Sequence, residues 1–178
     1  MNIPKMFPMH LIKSMELARA SLWRKPFILL ATGFGLGLCP VASGTAGTLP
    51  GVLILLALGP LWQGSILWQV VAAAALCLVA VPICDVAERH FGVKDDHRIV
   101  ADEYLTFPLG MIGLPLVPWM LAVAFLTNRV FDVLKPPPAW QLQALHGGAG
   151  IVIDDVIAAL YSLAVNHLIF HLVGRLLL

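Results

Sequence analysis

Charged side chains are scarce in this sequence of 178 residues, because Asp, Glu, Lys and Arg together make up only 12% of it. Hydrophobic residues make up 60%, whereas an ordinary soluble domain has about 45–50% apolar and about 25% charged residues. The net charge is only +1 and there is no basic tract, so nothing indicates a nucleic-acid partner. The composition predicts a single integral membrane domain over residues 1–178.

Several familiar signatures are also missing. The three cysteines have no CxxC spacing, which argues against a disulfide framework or a zinc site. No GKS or GKT occurs, which excludes a P-loop, and no CxxxxxR occurs, which excludes a soluble phosphatase with a nucleophilic cysteine. The basic start is too long for a signal peptide. Residues 1–25 instead predict an amphipathic basic segment, which would favour the anionic cytoplasmic leaflet.

Long apolar runs are what the sequence has in place of charge. The runs 65–84 and about 154–174 are each long enough to cross about 30 Å of hydrocarbon as a helix. A shorter run covers 49–62. Residues 104–127 are apolar but contain three prolines and two glycines, so one straight helix is not expected there.

The route of 104–127 decides where the polar blocks 85–103 and 128–150 lie. A single crossing would put them on opposite sides of the membrane, and a hairpin would keep both on the cytoplasmic side. The density of proline and glycine favours the hairpin. The predicted fold class is therefore all-α, a multi-helical integral membrane protein with short or broken helices and a polar site that faces the cytoplasm.

Two acidic pairs begin apolar stretches: Asp102 with Glu103, and Asp154 with Asp155. One interpretation is helix N-terminal acids, which the macrodipole and the free peptide N–H groups stabilise. The other is a metal site. Hard oxygen donors without clustered cysteines suit Mg²⁺, and the recurrence of the pattern at two membrane edges favours this interpretation.

The segment "NRVFDVLKPPP" places Arg129, Asp132 and Lys135 three residues apart, which predicts one helical stripe that ends at Pro136. Its cations would bind a phosphate, Arg129 through a two-pronged fork and Lys135 as a point charge. The alternative is a salt-bridged helix face.

The stretch "ATGFGLGLCPVASGTAGT", residues 31–48, is rich in Gly, Ser and Thr and predicts a loop. Backbone N–H groups near Gly44, Thr45, Gly47 and Thr48 would bind an anion, with Thr48 as the N-cap of the next helix. The alternative is a simple capping turn.

The histidines carry weaker signals. His167 and His171 are four residues apart near the far end of the last helix, which favours a contact between helices over a metal site. The run Asp95 to His97 predicts a solvated loop. His146 precedes the glycine-rich turn before Asp154 and is a candidate for a supporting role.

In order along the chain, "GLCPVASGTAGT", "IVADE", "RVFDVLKPPP" and "GGAGIVIDDVIAA" resemble the phosphatidylglycerophosphatase A family of bacterial membrane lipid phosphatases. The resemblance covers about residues 26–170. It departs from the family pattern at Ser43, where proline is frequent, and at Ala159, where glycine is usual; neither position would supply a charged group.

The resemblance implies Mg²⁺-dependent hydrolysis of phosphatidylglycerophosphate to phosphatidylglycerol and phosphate, at the cytoplasmic face of the bacterial inner membrane. The phospholipid in the bilayer would be the substrate, and the oligomeric state stays open. The positions that match the family motifs are Asp102, Glu103, Arg129, Asp132, Lys135, Pro136, Asp154 and Asp155. The four acids of the two pairs would hold the metal, and Asp132, Arg129 and Lys135 would serve the reaction.

Two other classes compete with this interpretation. A small transporter or channel would use the carboxylates as an ion path, and a structural membrane subunit would use them for no chemistry. A transporter should carry its acids in mid-span, whereas here they cluster at span ends with cations nearby. That placement favours an enzyme that acts on phosphate.

Overall fold

A computed structural model describes residues 24–40 and 42–177, with side chains described for all of them except Trp140 and residues 174–177. Residues 1–23, and with them most of the predicted amphipathic segment, lie outside the described part. Within that part the regular elements are all helical and no strand occurs, so the all-α prediction is confirmed.

The helices follow one another with short connections. They are α1 (24–31), a 3₁₀ turn (Leu36–Leu38), α2 (Ser43–Ala57), α3 (Gly59–Trp62), α4 (Ile66–Phe91), α5 (Ala101–Thr106), a second 3₁₀ turn (Phe107–Met111), α6 (Pro118–Leu134), α7 (Ala139–Leu142) and α8 (Gly148–Leu177).

Two of these helices are long and apolar enough to cross a membrane, namely α4 and the stretch Gly148–Val173 of α8. Both predicted spans are thus present, and both extend further than the apolar runs suggested. Helix α4 continues seven residues into the first polar block, and α8 begins six residues before Asp154. Helix α2, with 15 residues, is only about 22 Å long and cannot span alone.

The stretch 104–127 is broken, as its prolines and glycines predicted. Helix α5 and the second 3₁₀ turn end at Met111, and α6 starts only at Pro118. The polar segments before and after this break meet: Lys135 Nζ lies 3.9 Å from Asp95 Oδ2, and the Gln143 amide donates to the same carboxylate. The geometry therefore agrees with the hairpin and puts both polar blocks at one end of the bundle.

The bundle has an apolar core and an apolar outside. One buried cluster lies under the polar end, around Cys84, Val100 and Ile151, and a second lies at the far end, around Phe107 and Met120. Large apolar side chains also cover the surface; Leu78 on α4, for example, is 72% exposed. Contiguous exposed apolar surface of this kind is what a lipid-facing bundle presents.

Buried polar side chains tie the far half of the bundle together. Thr127 on α6 donates to Asn166 on α8 over 2.8 Å, and Asn166 Nδ2 donates to the Gly110 carbonyl over 2.9 Å. His167 Nε2 lies 2.9 Å from the Ile112 carbonyl and its ring stacks on His171. The contact of His167 with the segment before α6 matches the predicted contact between elements, whereas the ring contacts of His171 are within α8.

Candidate active site

Four helices and one loop surround a polar cavity of about 330 Å³ at the end of the bundle where both polar blocks lie. The N-terminal ends of α2 and α5, the second turn of α8 and the C-terminal end of α6 reach it, and the loop after α4 closes one side. The cavity is lined by Ser43, Asp95, His97, Ile99, Asp102, Glu103, Asp132, Val133, Lys135, Asp154 and Asp155. Both predicted acidic pairs thus meet in one place, although 51 residues or more separate them along the chain.

Helix α5 supplies the first pair. Its start is fixed by a hydrogen bond from the Val100 N–H to the Ala31 carbonyl, 2.8 Å, and both acids lie in its first turn. Asp102 is buried and its Oδ1 has no hydrogen-bond partner. Burial, and then the charge of Glu103, raise the pKa of Asp102 well above its usual value.

Glu103 is held from two sides. Thr48 Oγ1 donates to its Oε2 over 3.3 Å, and Arg129 Nη1 lies 3.4 Å from the same oxygen. Burial raises the pKa of Glu103 to about 7, while Arg129 opposes that rise.

Helix α8 supplies the second pair, but not at its N-terminus. Because the helix begins at Gly148, Asp154 and Asp155 lie in its second turn, beyond the free N–H groups of the first. The interpretation of this pair as N-terminal capping acids is therefore wrong. Both side chains are buried and the Oδ1 atom of each has no hydrogen-bond partner.

The helix starts early because its glycines allow close packing. A Cβ atom at Gly148 would collide with the Val81 carbonyl and would lie 2.6 Å from the Asp85 nitrogen, both on α4. Glycine at this position lets the two long helices approach where the acids enter the cavity. His146, just before the turn, is exposed and does not line the cavity, so the structure gives it no supporting contact there.

The basic segment does not form the single helical stripe that its spacing predicted. Helix α6 ends at Leu134, and Lys135 follows in a left-handed conformation with φ 44°. This turn sends Lys135 Nζ to Asp154 Oδ2, where it donates over 2.7 Å. Burial lowers the pKa of Lys135, but the Asp154 carboxylate outweighs that effect and raises it, so Lys135 stays charged.

Arg129 lies just behind the cavity wall. Its Nη2 is 3.1 Å from Asp132 Oδ2 and its Nη1 is 3.4 Å from Glu103 Oε2. The alternative of a salt-bridged helix face is therefore present for Arg129 and Asp132, whereas Lys135 pairs with Asp154 on another helix. Its Nε and Nη2 nevertheless have no partner with hydrogen-bond geometry, although both are buried. The guanidinium thus bridges two acids from behind the lining, and its Nε and Nη2 groups make no hydrogen bond of good geometry within the protein.

The segment Gly44–Thr48 is not a loop. Helix α2 starts at Ser43, so Thr48 lies inside the helix and is not its N-cap; Ala42 holds that position. A Cβ at Gly44 would lie 2.5 Å from Arg129 Nη1, and one at Gly47 would lie 2.5 Å from Val100 Cβ. These glycines therefore provide close packing against Arg129 and α5, Thr45 is exposed, and Ser43 is the residue of this helix end that lines the cavity.

Asp95 and His97 were expected in a solvated loop, yet both line the cavity. Asp96, between them, forms a two-pronged ion pair with Arg98, whose Nε and Nη2 donate over 2.7 and 2.6 Å. The hydrogen bonds from Arg98 hold the pKa of Asp96 at about 2, against the effect of burial. In the same loop, Asp95 Oδ2 lies 3.9 Å from Lys135 Nζ. The only signal for these contacts in the sequence is the pair of acids two residues before an arginine.

The cavity fits a hard divalent cation by its donor chemistry. Asp102, Asp154 and Asp155 each have a buried carboxylate oxygen without a hydrogen-bond partner, and oxygen is the donor that Mg²⁺ prefers. Among the described residues, no three His, Cys, Asp or Glu side chains converge tightly enough to form a complete metal site. Mg²⁺ seldom uses such an all-protein site, because it keeps several waters and binds through one or two carboxylates together with substrate phosphate.

A family model and two relatives of known name point to the same family. The family model described as Phosphatidylglycerophosphatase A matches residues 29–170. The Phosphatidylglycerophosphatase A of Escherichia coli strain K12 is 35% identical over 150 residues, which cover 82% of this chain and 84% of that protein. The protein of the same name from Haemophilus influenzae is 37% identical over 147 residues, 79% of this chain and 86% of the relative.

A third relative carries a different name. A candidate phosphatidylinositol-3-phosphatase of Bacteroides thetaiotaomicron is 34% identical over 140 residues, which cover 76% of this chain and 87% of that protein. No solved structure matches the chain. All three relatives are named as phosphatases of a phosphorylated phospholipid, but the headgroups in their names differ.

Proposed function

The chain belongs to the phosphatidylglycerophosphatase A family, and we propose that its polar cavity hydrolyses phosphatidylglycerophosphate to phosphatidylglycerol and phosphate with the help of Mg²⁺. One observation supports the location best: both acidic pairs, Asp132 and Lys135 line a single cavity at the end of two membrane-length helices. A lipid held in the bilayer by its acyl chains would present its phosphate at this level.

We propose that the cation binds at Asp102, Asp154 and Asp155, which each offer a partnerless oxygen, with Glu103 beside them as the fourth acid. When bound, Mg²⁺ would offset carboxylate charge and polarise the phosphate ester. Asp154 already shares its Oδ2 with Lys135, so its Oδ1 is the free oxygen.

The remaining residues would bind and orient the reacting groups. Lys135 and the two partnerless N–H groups of Arg129 would take phosphate oxygens, over which negative charge is spread in a loose transition state. Asp132 lines the cavity and would accept a hydrogen bond from the attacking water. As the oxygen of that water bonds to phosphorus, the bond from phosphorus to the glycerol oxygen breaks, and a proton from the water, passed through Asp132, would end on that glycerol oxygen. Phosphatidylglycerol and inorganic phosphate are then released.

In this proposal the Gly44–Thr48 segment contributes less to phosphate binding than the sequence predicted. The N-terminus of α2 at Ser43 would bring the positive end of a helix dipole to the phosphate. Gly44 and Gly47 would allow α2 to approach Arg129 and α5, and Thr48 would orient Glu103.

We also propose that the site faces the cytoplasm of the bacterial inner membrane. The support is that the end of α4 and the loop after it carry Arg89, Lys94 and Arg98, and cytoplasmic ends of spans are enriched in such cations. The transporter alternative is not favoured, because the relatives are phosphatases and the acids gather at one end of the bundle.

Phosphate release by the purified protein from phosphatidylglycerophosphate in mixed micelles tests the function, with phosphatidylinositol-3-phosphate as the competing headgroup. We expect release from the first lipid only with Mg²⁺, loss with excess EDTA, and no turnover by Asp154→Asn. Full activity in EDTA would show that the reaction needs no metal. A higher rate on the inositol lipid would show that phosphatidylglycerophosphate is not the preferred substrate.

A further inference from the structure

An apolar groove opens on the bundle surface next to the polar cavity, and we propose that it holds one acyl chain of the lipid substrate. The groove has a volume of about 650 Å³ and is bordered by α1, α2, α4 and α5. Its walls include Leu30, Leu53, Ile54, Val79 and Leu105. The inference rests on the proposed function, because it assigns the tail of the same substrate whose phosphate would lie in the cavity.

The groove and the cavity share two helices. On α5, Asp102 and Glu103 line the cavity, while the next residues, Tyr104 and Leu105, line the groove. On α2, Ser43 lines the cavity and Pro50 lines the groove, about 10 Å further along the helix axis. A molecule with a phosphate in the cavity and an apolar chain attached a short distance away would follow this path.

The groove is apolar because the polar atoms near it are already paired. Tyr104 Oη donates to the Leu30 carbonyl over 2.8 Å, so its hydroxyl group is turned away from a ligand. Phe34 is held in a left-handed conformation, with φ 58°, at the edge of the groove and is 65% exposed. Such a conformation is unfavourable for a residue with a side chain, and a hydrogen bond of 2.8 Å from the Phe34 N–H to the Leu29 carbonyl holds the backbone there.

A chain that moves from lipid into this groove gains little from the hydrophobic effect, because both environments are apolar. Its contribution would be orientation: a tail fixed in the groove limits how the headgroup can lie in the cavity. Misplacement of a reacting group by about 1 Å can cost roughly a hundredfold in rate. Blocking the groove should therefore lower kcat/KM for a long-chain substrate and leave kcat/KM for a short-chain substrate unchanged.

Adjacent residues on α4 allow a matched test. Val79 lines the groove and is 50% exposed, whereas Leu78 is 72% exposed and does not line it. Val79→Trp would fill the groove, and Leu78→Trp places the same indole on the outer face of the same helix. Both variants are compared with the unchanged protein on long-chain phosphatidylglycerophosphate and on its dibutanoyl analogue, with Tm and oligomeric mass measured for each.

We expect Val79→Trp to lower kcat/KM for the long-chain lipid by roughly ten- to a hundredfold, with no change for the dibutanoyl lipid, and Leu78→Trp to change neither. An equal loss of kcat/KM on both lipids would mean that the groove only supports the fold. No loss on either lipid would mean that the acyl chain binds elsewhere. A change of oligomeric mass in Val79→Trp alone would assign the groove to a second copy of the chain. Each of these three results overturns the proposal.

A second arm separates this inference from the proposed function. Phosphatidylglycerol with a diazirine near the end of one chain is photolysed with the unchanged protein in vesicles, and the labelled peptides are identified. We expect label on the groove segments of α2 and α4. If the protein hydrolysed no phosphorylated lipid but these segments were labelled, the function would fail and the acyl site would stand; label confined to other segments would refute the site.

Discussion

Arg129 offers the sharpest test of the proposed chemistry, because the structure gives it two roles that respond differently to substitution. It pairs with Glu103 and Asp132, and these three side chains are only 13–19% exposed. Removing one partner of a buried pair costs up to about 3–5 kcal/mol of stability, since it leaves charge uncompensated. Arg129→Met should therefore lower both stability and rate, and cannot separate the roles.

Arg129→Lys does separate them. A lysine keeps the positive charge near both acids but cannot reproduce the fork, whose Nε and Nη2 groups make no hydrogen bond of good geometry within the protein. One lost charge-assisted hydrogen bond is worth about 1.5–3 kcal/mol, which is roughly ten- to a hundredfold in rate. We expect Arg129→Lys to lose that factor in kcat/KM per folded enzyme while Tm falls only slightly.

The assay is phosphate release in mixed micelles, normalised to the folded fraction, with thermal stability measured on the same samples. Arg89→Lys is the matched control, because Arg89 pairs with Asp85 at 2.9 Å and is 76% exposed outside the cavity lining. It should change neither value. If Arg129→Lys reacted at the normal rate, Arg129 would serve only as an ion-pair partner, and its proposed contact with phosphate would be wrong.

Three further predictions concern topology, packing and charge. In a variant without native cysteines, cysteine at Lys94 or Gln141 should be inaccessible to an impermeant thiol reagent outside intact cells and react in inverted vesicles; opposite accessibility of the two would refute the hairpin. Gly44→Ala should abolish most activity, because its Cβ would lie 2.6 Å from Glu103 Oε1, whereas Gly59→Ala, with nothing within 4 Å, should be neutral in kcat/KM. Asp102→Asn should end turnover but keep or raise Tm without Mg²⁺, because it removes a buried carboxyl group next to like charges; a clear fall in Tm would show that the carboxyl group stabilises the fold.

Much of the fold follows from the apolar pattern, and the differences arise where packing overrides local preference. Glycine is about 1 kcal/mol less favourable than alanine inside a helix, so "HGGAG" predicted that α8 would begin only after it. The helix instead begins at Gly148, where the missing side chain allows contact with Val81 and Asp85. That contact joins segments more than 60 residues apart, and no local signal announces it.

The sequence predicted which acidic pairs belong to the candidate site, but it did not predict how the other side chains are arranged around them. The pairs at 102–103 and 154–155 were found because acids at the ends of apolar runs are unusual. The position of Lys135 was not predicted, because its left-handed backbone conformation breaks the helical spacing that a sequence pattern assumes. Asp95 was missed for a similar reason: its contact with Lys135 depends on a break between α5 and α6 that brings two distant polar blocks together.

Six carboxyl groups line the cavity, and only Lys135, with Arg129 just behind the wall, supplies permanent positive charge against them. Such a cluster costs stability, because buried carboxylates that lack partners repel one another. It would also repel the phosphate of the proposed substrate, which is itself an anion. A phosphomonoester can bind among so many acids only if further positive charge enters with it. The proposed Mg²⁺ and the proposed phosphate subsite therefore depend on each other, and the buried acid pair of α8 is accounted for only with both. The acids are Asp95, Asp102, Glu103, Asp132, Asp154 and Asp155.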